Sequence, residues 1–130
     1  MTNDMLITQF ENDTLTPEFH HAQHVQLAFA YLSRFPTLMA LSKFEEALKR
    51  YAAARGKSGL YHETITHAYF FLIRERMARG DVANWEEFQA RNPDLLRWGP
   101  GILDRYYCDS TLNSELSRRV FLFPDKFGIF

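Results

Sequence analysis

The five histidines of this chain fall in two short windows, His20-His21-Ala22-Gln23-His24 and His62-Glu63-Thr64-Ile65-Thr66-His67. Imidazole exchanges protons near neutral pH and is the commonest metal ligand. Two such windows brought together would therefore concentrate acid–base and metal chemistry at one place. His21 and His24 are three residues apart, and His20 and His24 are four apart. On a helix either pair shares one face about a turn apart, so spacing alone does not choose between them. Two histidines one turn apart make half of a metal site, and the other ligands must come from elsewhere.

The second window can supply them. His62 and His67 are five residues apart, which is ~140° around a helix at about 100° per residue, so they cannot address one ion together. His62 shares its face with Thr66 and Tyr69, and Glu63 shares its face with His67 and Phe70. One set, not both, faces the first histidine helix. The expected site has His21, His24 and His62 as ligands, with Glu63 as a further ligand or as a general base. Imidazole with carboxylate suits Zn²⁺ or Fe²⁺. Tyr61 and Thr66 are placed to orient a ring or hold a bound molecule. Asp104 and Tyr106 join them if the later loop folds back. In a non-catalytic version the same histidines fix a small-molecule ligand, or register the helices by hydrogen bonds.

Those side chains need helices to carry them. Residues 1–15 read as a lead-in arm. Thr16-Pro17-Glu18 has the form of a helix start, with Thr as cap and Pro in the first turn, and this helix runs to about Arg34, ended by Pro36. Thr37 can cap a second helix, from about Leu38 to Arg55, with Gly56 just past its end. A third runs from about Tyr61 to Arg79 and closes at Gly80. Asn84 with Glu87 has capping-box form and opens a shorter helix to about Ala90. Asn92-Pro93-Asp94 restarts a turn, and Trp98-Gly99-Pro100-Gly101 is a break. Ile102 to Tyr107 can form a short helix, and Ser114 can cap a last one to about Phe121. The apolar tail Phe123–Phe130 is expected to lie across the bundle or to pair with a second copy as a homodimer. Strand alternation nowhere persists. The expected fold is all-α, a single domain over residues 1–130 built as a bundle of about five helices.

Composition narrows the function classes. Twelve phenylalanines and six tyrosines in 130 residues supply a largely aromatic core. A net charge of −1 with scattered basic residues argues against nucleic acid as partner. The single cysteine, Cys108, rules out an internal disulfide and fits a reducing cytoplasm. It is read as packing rather than as a nucleophile. The opening Met-Thr-Asn-Asp-Met does not have the form of a signal peptide. No apolar run approaches the ~20 residues that span a bilayer, so no membrane partner is expected. Dinucleotide, P-loop and nucleophile-elbow motifs are missing as well. A small molecule is the partner left to expect.

The segment Phe19 to Ala28 resembles a family of small bacterial helical proteins. Their pattern there is Phe, any residue, His, two variable residues, His, then an apolar run. The likeness continues at Tyr61-His62-Glu63-Thr64-Ile65-Thr66, from Leu103 to Tyr107 and at Phe123-Pro124-Asp125, and spans about residues 10 to 127. It implies that His21 and His24 matter more than His20, and it leaves His67 outside the pattern. It implies no particular reaction. Trp98-Gly99-Pro100-Gly101 departs from it just before the Tyr-Tyr pair.

Overall fold

In a computed structural model, residues 2–13, 20–97 and 101–126 are described. The chain is all-α: these residues form α1 (Asn3–Glu11), α2 (His21–Arg34), α3 (Thr37–Ala54), α4 (Glu63–Gly80), α5 (Trp85–Arg91), α6 (Asp109–Leu112) and α7 (Glu115–Arg119), with no strand among them. Five helices have seven residues or more, as the bundle reading expects. Short 3₁₀ turns at Ser58–Leu60, Pro93–Leu96 and Ile102–Arg105 join them. Among the described residues no helix is long and apolar enough to cross a membrane.

The lead-in arm is corrected to a helix. Thr2 caps α1 by accepting a hydrogen bond from Met5 N at 3.1 Å. Leu6, Ile7 and Phe10 then form a buried stripe at helical spacing. Phe10 stacks on Tyr51 of α3 with ring centroids 4.9 Å apart. Arg34 of α2 pairs with Asp4. The expected cap at Thr16 and Pro17 lies outside the described residues, as does the break at Trp98 to Pro100. Thr37, expected as a cap, is instead the first helical residue of α3. Its hydroxyl accepts from Arg74 Nε at 3.1 Å and so ties α3 to α4. Gly56 takes the left-handed conformation expected after α3, with φ 67°. At the end of α4 that conformation falls on Asp81, φ 49°, rather than on Gly80.

The central element is α2. Leu27, Ala28, Phe29, Ala30 and Tyr31 are all buried, so α2 is surrounded on several sides. Phe29 packs on Phe88 and Trp85 of α5 at 5.1 and 5.6 Å between centroids. Tyr31 meets Phe44 of α3, which meets Phe70 of α4. Arg76 of α4 makes a two-pronged contact with Asp94, 3.1 and 2.9 Å, and a third bond to Asn92. It is therefore an anchor between elements rather than part of a solvated face.

Tyr31 carries one test of this packing. Its ring is wholly buried, and its hydroxyl donates to Glu11 Oε2 at 2.6 Å at the end of α1. Tyr31→Phe keeps the ring and removes its bond to Glu11. We expect a loss of about 1–2 kcal/mol in urea unfolding, on the scale of a hydrogen bond to a charged group.

Candidate functional site

A cleft of about 1010 Å³ opens between α2, α3 and α4. That is at the top of the range of roughly 300–1,000 Å³ usual for ligand pockets. His20, His21 and His24 enter it from the first turn of α2, and Tyr61, His62 and Thr66 from the start of α4. Its walls include Val25, Phe44, Leu48, Ile65, Phe70 and Ile73. Of the two alternative faces of α4, the one bearing His62, Thr66 and Tyr69 looks into this cleft. Glu63, His67 and Tyr106 are not among the residues that line it.

The histidines differ in what holds them. The His21 ring donates from Nε2 to the Leu95 carbonyl at 2.9 Å, and its ring meets Tyr69 edge-on at 4.7 Å. Loss of water contact lowers its pKa, against the raising effect of that bond. His24 is pushed down to about 4, first by desolvation and then by the neighbouring His21. Both shifts favour the neutral ring at pH 7. His20 stands at the N-cap of α2, where its backbone N–H donates to the Gln23 side chain at 2.9 Å.

His62 is built into the fold. Its Nδ1 accepts from Ile65 N at 3.1 Å, capping α4. Its Nε2 donates to the Leu112 carbonyl at 2.8 Å, with Ser117 Oγ at 3.3 Å. Both ring nitrogens of His62, expected as a metal ligand, are engaged by the chain, one accepting and one donating. His21 and His24 belong to no group of three or more ligand-type side chains among the described residues. Two residues on, the Thr64 hydroxyl donates to the Val120 carbonyl at 2.9 Å and accepts from Leu122 N at 3.1 Å. His62 and Thr64 together clasp residues 112 to 122.

Of the tail expected to cross the bundle, residues 123–126 are described, and they lie against residues 104 to 111. Tyr107 OH donates to the Leu122 carbonyl at 2.7 Å, and Asp125 and Lys126 donate their backbone N–H groups to the Tyr106 carbonyl at 3.0 and 3.1 Å. Asp125 accepts from Thr111 and from Cys108 N, which hold its carboxyl below the ordinary aspartate range. Tyr106 thus meets the tail through its backbone. Phe123 is left 81% exposed.

The other face of α4 holds a second group. Glu63 and His67, one turn apart, meet Glu45 of α3, with one ligand atom from each within 4.8 Å of the others. Tyr61, whose ring lines the cleft, donates its hydroxyl to Glu63 Oε1 at 2.8 Å. Burial and this bond raise the Tyr61 pKa well above its ordinary value. Glu63 therefore lies beside the histidine cleft, one hydroxyl away from it. Glu45 and His67 were missed by sequence reasoning. The spacing of Glu63 and His67 was a visible signal, whereas Glu45 depends on how α3 packs.

Two tests follow from this geometry. His62→Ala strands Ile65 N and leaves the Leu112 carbonyl with the Ser117 hydroxyl alone, and Thr64→Val strands Leu122 N. Each should cost about 1–3 kcal/mol in urea unfolding. For His24, an unfolded chain takes a proton near pH 6.5, while the folded chain resists it until about pH 4. Its contribution to stability is complete above pH 6.5 and is lost as pH falls from there toward 4. Unfolding at pH 7 and pH 5 should show that loss, and His24→Gln should shrink the difference.

No family model, curated protein or solved structure matches this chain.

Proposed function

We propose that this chain binds a small organic molecule with an apolar body and an anionic end, seated in the cleft between α2, α3 and α4. The observation that carries the reading is the charge of the lining. Among the described residues that line the cleft there is no Asp or Glu, while Arg55, Lys57 and Arg118 stand there with His20, His21 and His24. Aliphatic and aromatic walls with a few convergent polar groups are the ordinary make-up of a small-molecule site.

Two of these cations keep donors for an anion beside the bonds they make within the chain. Arg55 donates to Asp13 at 2.8 Å and lies over the Tyr51 ring. Arg118 donates to the Gly59 carbonyl at 3.1 Å. A guanidinium has five N–H donors, so each retains capacity for a carboxylate, sulfonate or phosphate. Neutral His21 and His24 then serve as directional hydrogen-bonding groups rather than as charges. A reducing cytoplasmic setting belongs to this reading and is supported by the lone Cys108. The reading requires binding and no turnover.

Calorimetric titration with decanoate and with decanol, which share a chain and differ in charge, tests it. Decanoate should bind about tenfold or more tightly than decanol, a difference of about 1.4 kcal/mol. The double variant Arg118→Gln/Lys57→Gln should erase most of that preference. Equal affinity for the two probes, or binding of neither, would overturn the reading.

A further inference from the structure

Glu45 of α3 and Glu63 and His67 of α4 do not line the cleft. They meet between the two helices, each only partly exposed. We propose that these three side chains form a binding site for one divalent transition-metal cation of the Zn²⁺, Fe²⁺ or Mn²⁺ class, distinct from the anion-binding cleft.

Distance is the first argument. His67 Nε2 lies 3.6 Å from Glu63 Oε1 and 3.8 Å from Glu45 Oε2. A charge-assisted hydrogen bond would close to about 2.7–2.9 Å. Two donor atoms sharing one ion are held further apart: with bonds of about 2.1 Å and a tetrahedral angle they stand roughly 3.4 Å from each other. The observed spacing is close to that of ligands and too long for direct bonds.

The second argument is an unmet polar atom. His67 Nε2 is buried and has no hydrogen-bond partner. The large majority of buried side-chain polar atoms have one. This atom is directed at two carboxylate oxygens across a gap that an ion would close. The third argument is charge. Two acidic side chains, Glu45 and Glu63, bring one ligand atom each within 4.8 Å of the other and of a His67 nitrogen, and a divalent cation offsets charge gathered in that way. Lys49 Nζ, 3.2 Å from Glu45 Oε1, offsets part of that charge from the outer side and leaves Oε2 turned to His67.

The surroundings suit a held ion. Tyr61 OH fixes the Glu63 carboxylate at 2.8 Å, the kind of outer bond that orients a ligand. The ring of Phe121 lies 6.0 Å from that of His67, so the clasped C-terminal segment shields the imidazole from water. Imidazole with two carboxylates favours Zn²⁺, Fe²⁺ or Mn²⁺ over Ca²⁺ or Mg²⁺, which prefer oxygen throughout.

The test uses the full chain without an affinity tag, stripped with a chelator and titrated calorimetrically with ZnCl₂ and with MnCl₂. About one equivalent of at least one cation should bind. His67→Ala and Glu45→Gln should each weaken that binding tenfold or more. Glu45→Gln keeps the side-chain shape, so it decides the matter if His67→Ala loses its helical circular dichroism. Binding of neither cation overturns the proposal. Wild-type affinity in the glutamate variant also overturns it. Loss of binding in His24→Ala alone would instead assign the ion to the cleft histidines. The decanoate titration addresses different residues, so the two proposals can fail separately.

Discussion

The two nitrogens of His62 impose the constraint on which the rest of this structure depends. One must accept from Ile65 N, and the other must donate to the Leu112 carbonyl. Only the neutral tautomer with its hydrogen on Nε2 satisfies both. That single ring starts α4 and fastens a segment fifty residues further along. With Thr64, buried two residues further on, it determines where α7 and the following residues lie. Arg118 reaches the cleft from that segment, and Phe121 reaches His67 from it. Displacing the clasp would therefore disturb both candidate sites without touching a ligand.

The start of α4 sorts its residues by direction. Buried His62 and Thr64 are spent on architecture. Tyr61 and Thr66 border the cleft, and Glu63 and His67 face α3. Tyr61 belongs to both sides, with its ring in the cleft wall and its hydroxyl on Glu63. Anything that moves this ring changes the bond that positions the carboxylate. The cleft and the carboxylate–histidine group can thus influence each other through one side chain, and such an influence would be equal in both directions.

Much of the fold was legible because its signals are local. Proline, glycine and capping residues mark the ends of α3, α5 and α7, and apolar spacing marks α2, α3 and α4. The helix α1 was overlooked because its stripe is only Leu6, Ile7 and Phe10, followed at once by polar residues. The site was legible in part. The histidine windows do converge, and the right face of α4 was one of two alternatives. The role of His62 was not visible, since its partner carbonyl belongs to Leu112 and a backbone acceptor leaves no trace in residue types. Glu45 was hidden for a similar reason: a lone glutamate on a helix with other charges gains meaning only when α3 lies against α4. Asp125 likewise gains its role only when Thr111 and Cys108 are seen to donate to it.

The clasp also carries a cost in chain entropy. It joins His62 to Leu112, fifty residues apart, and Thr64 to Val120 and Leu122, still further apart. Contacts of such separation form slowly, because the entropy of closing the loop is lost before they are made. Arg118 and Phe121 lie in the segment that these contacts fasten. Both candidate sites therefore rest on a long-range closure rather than on the packing of neighbouring helices alone.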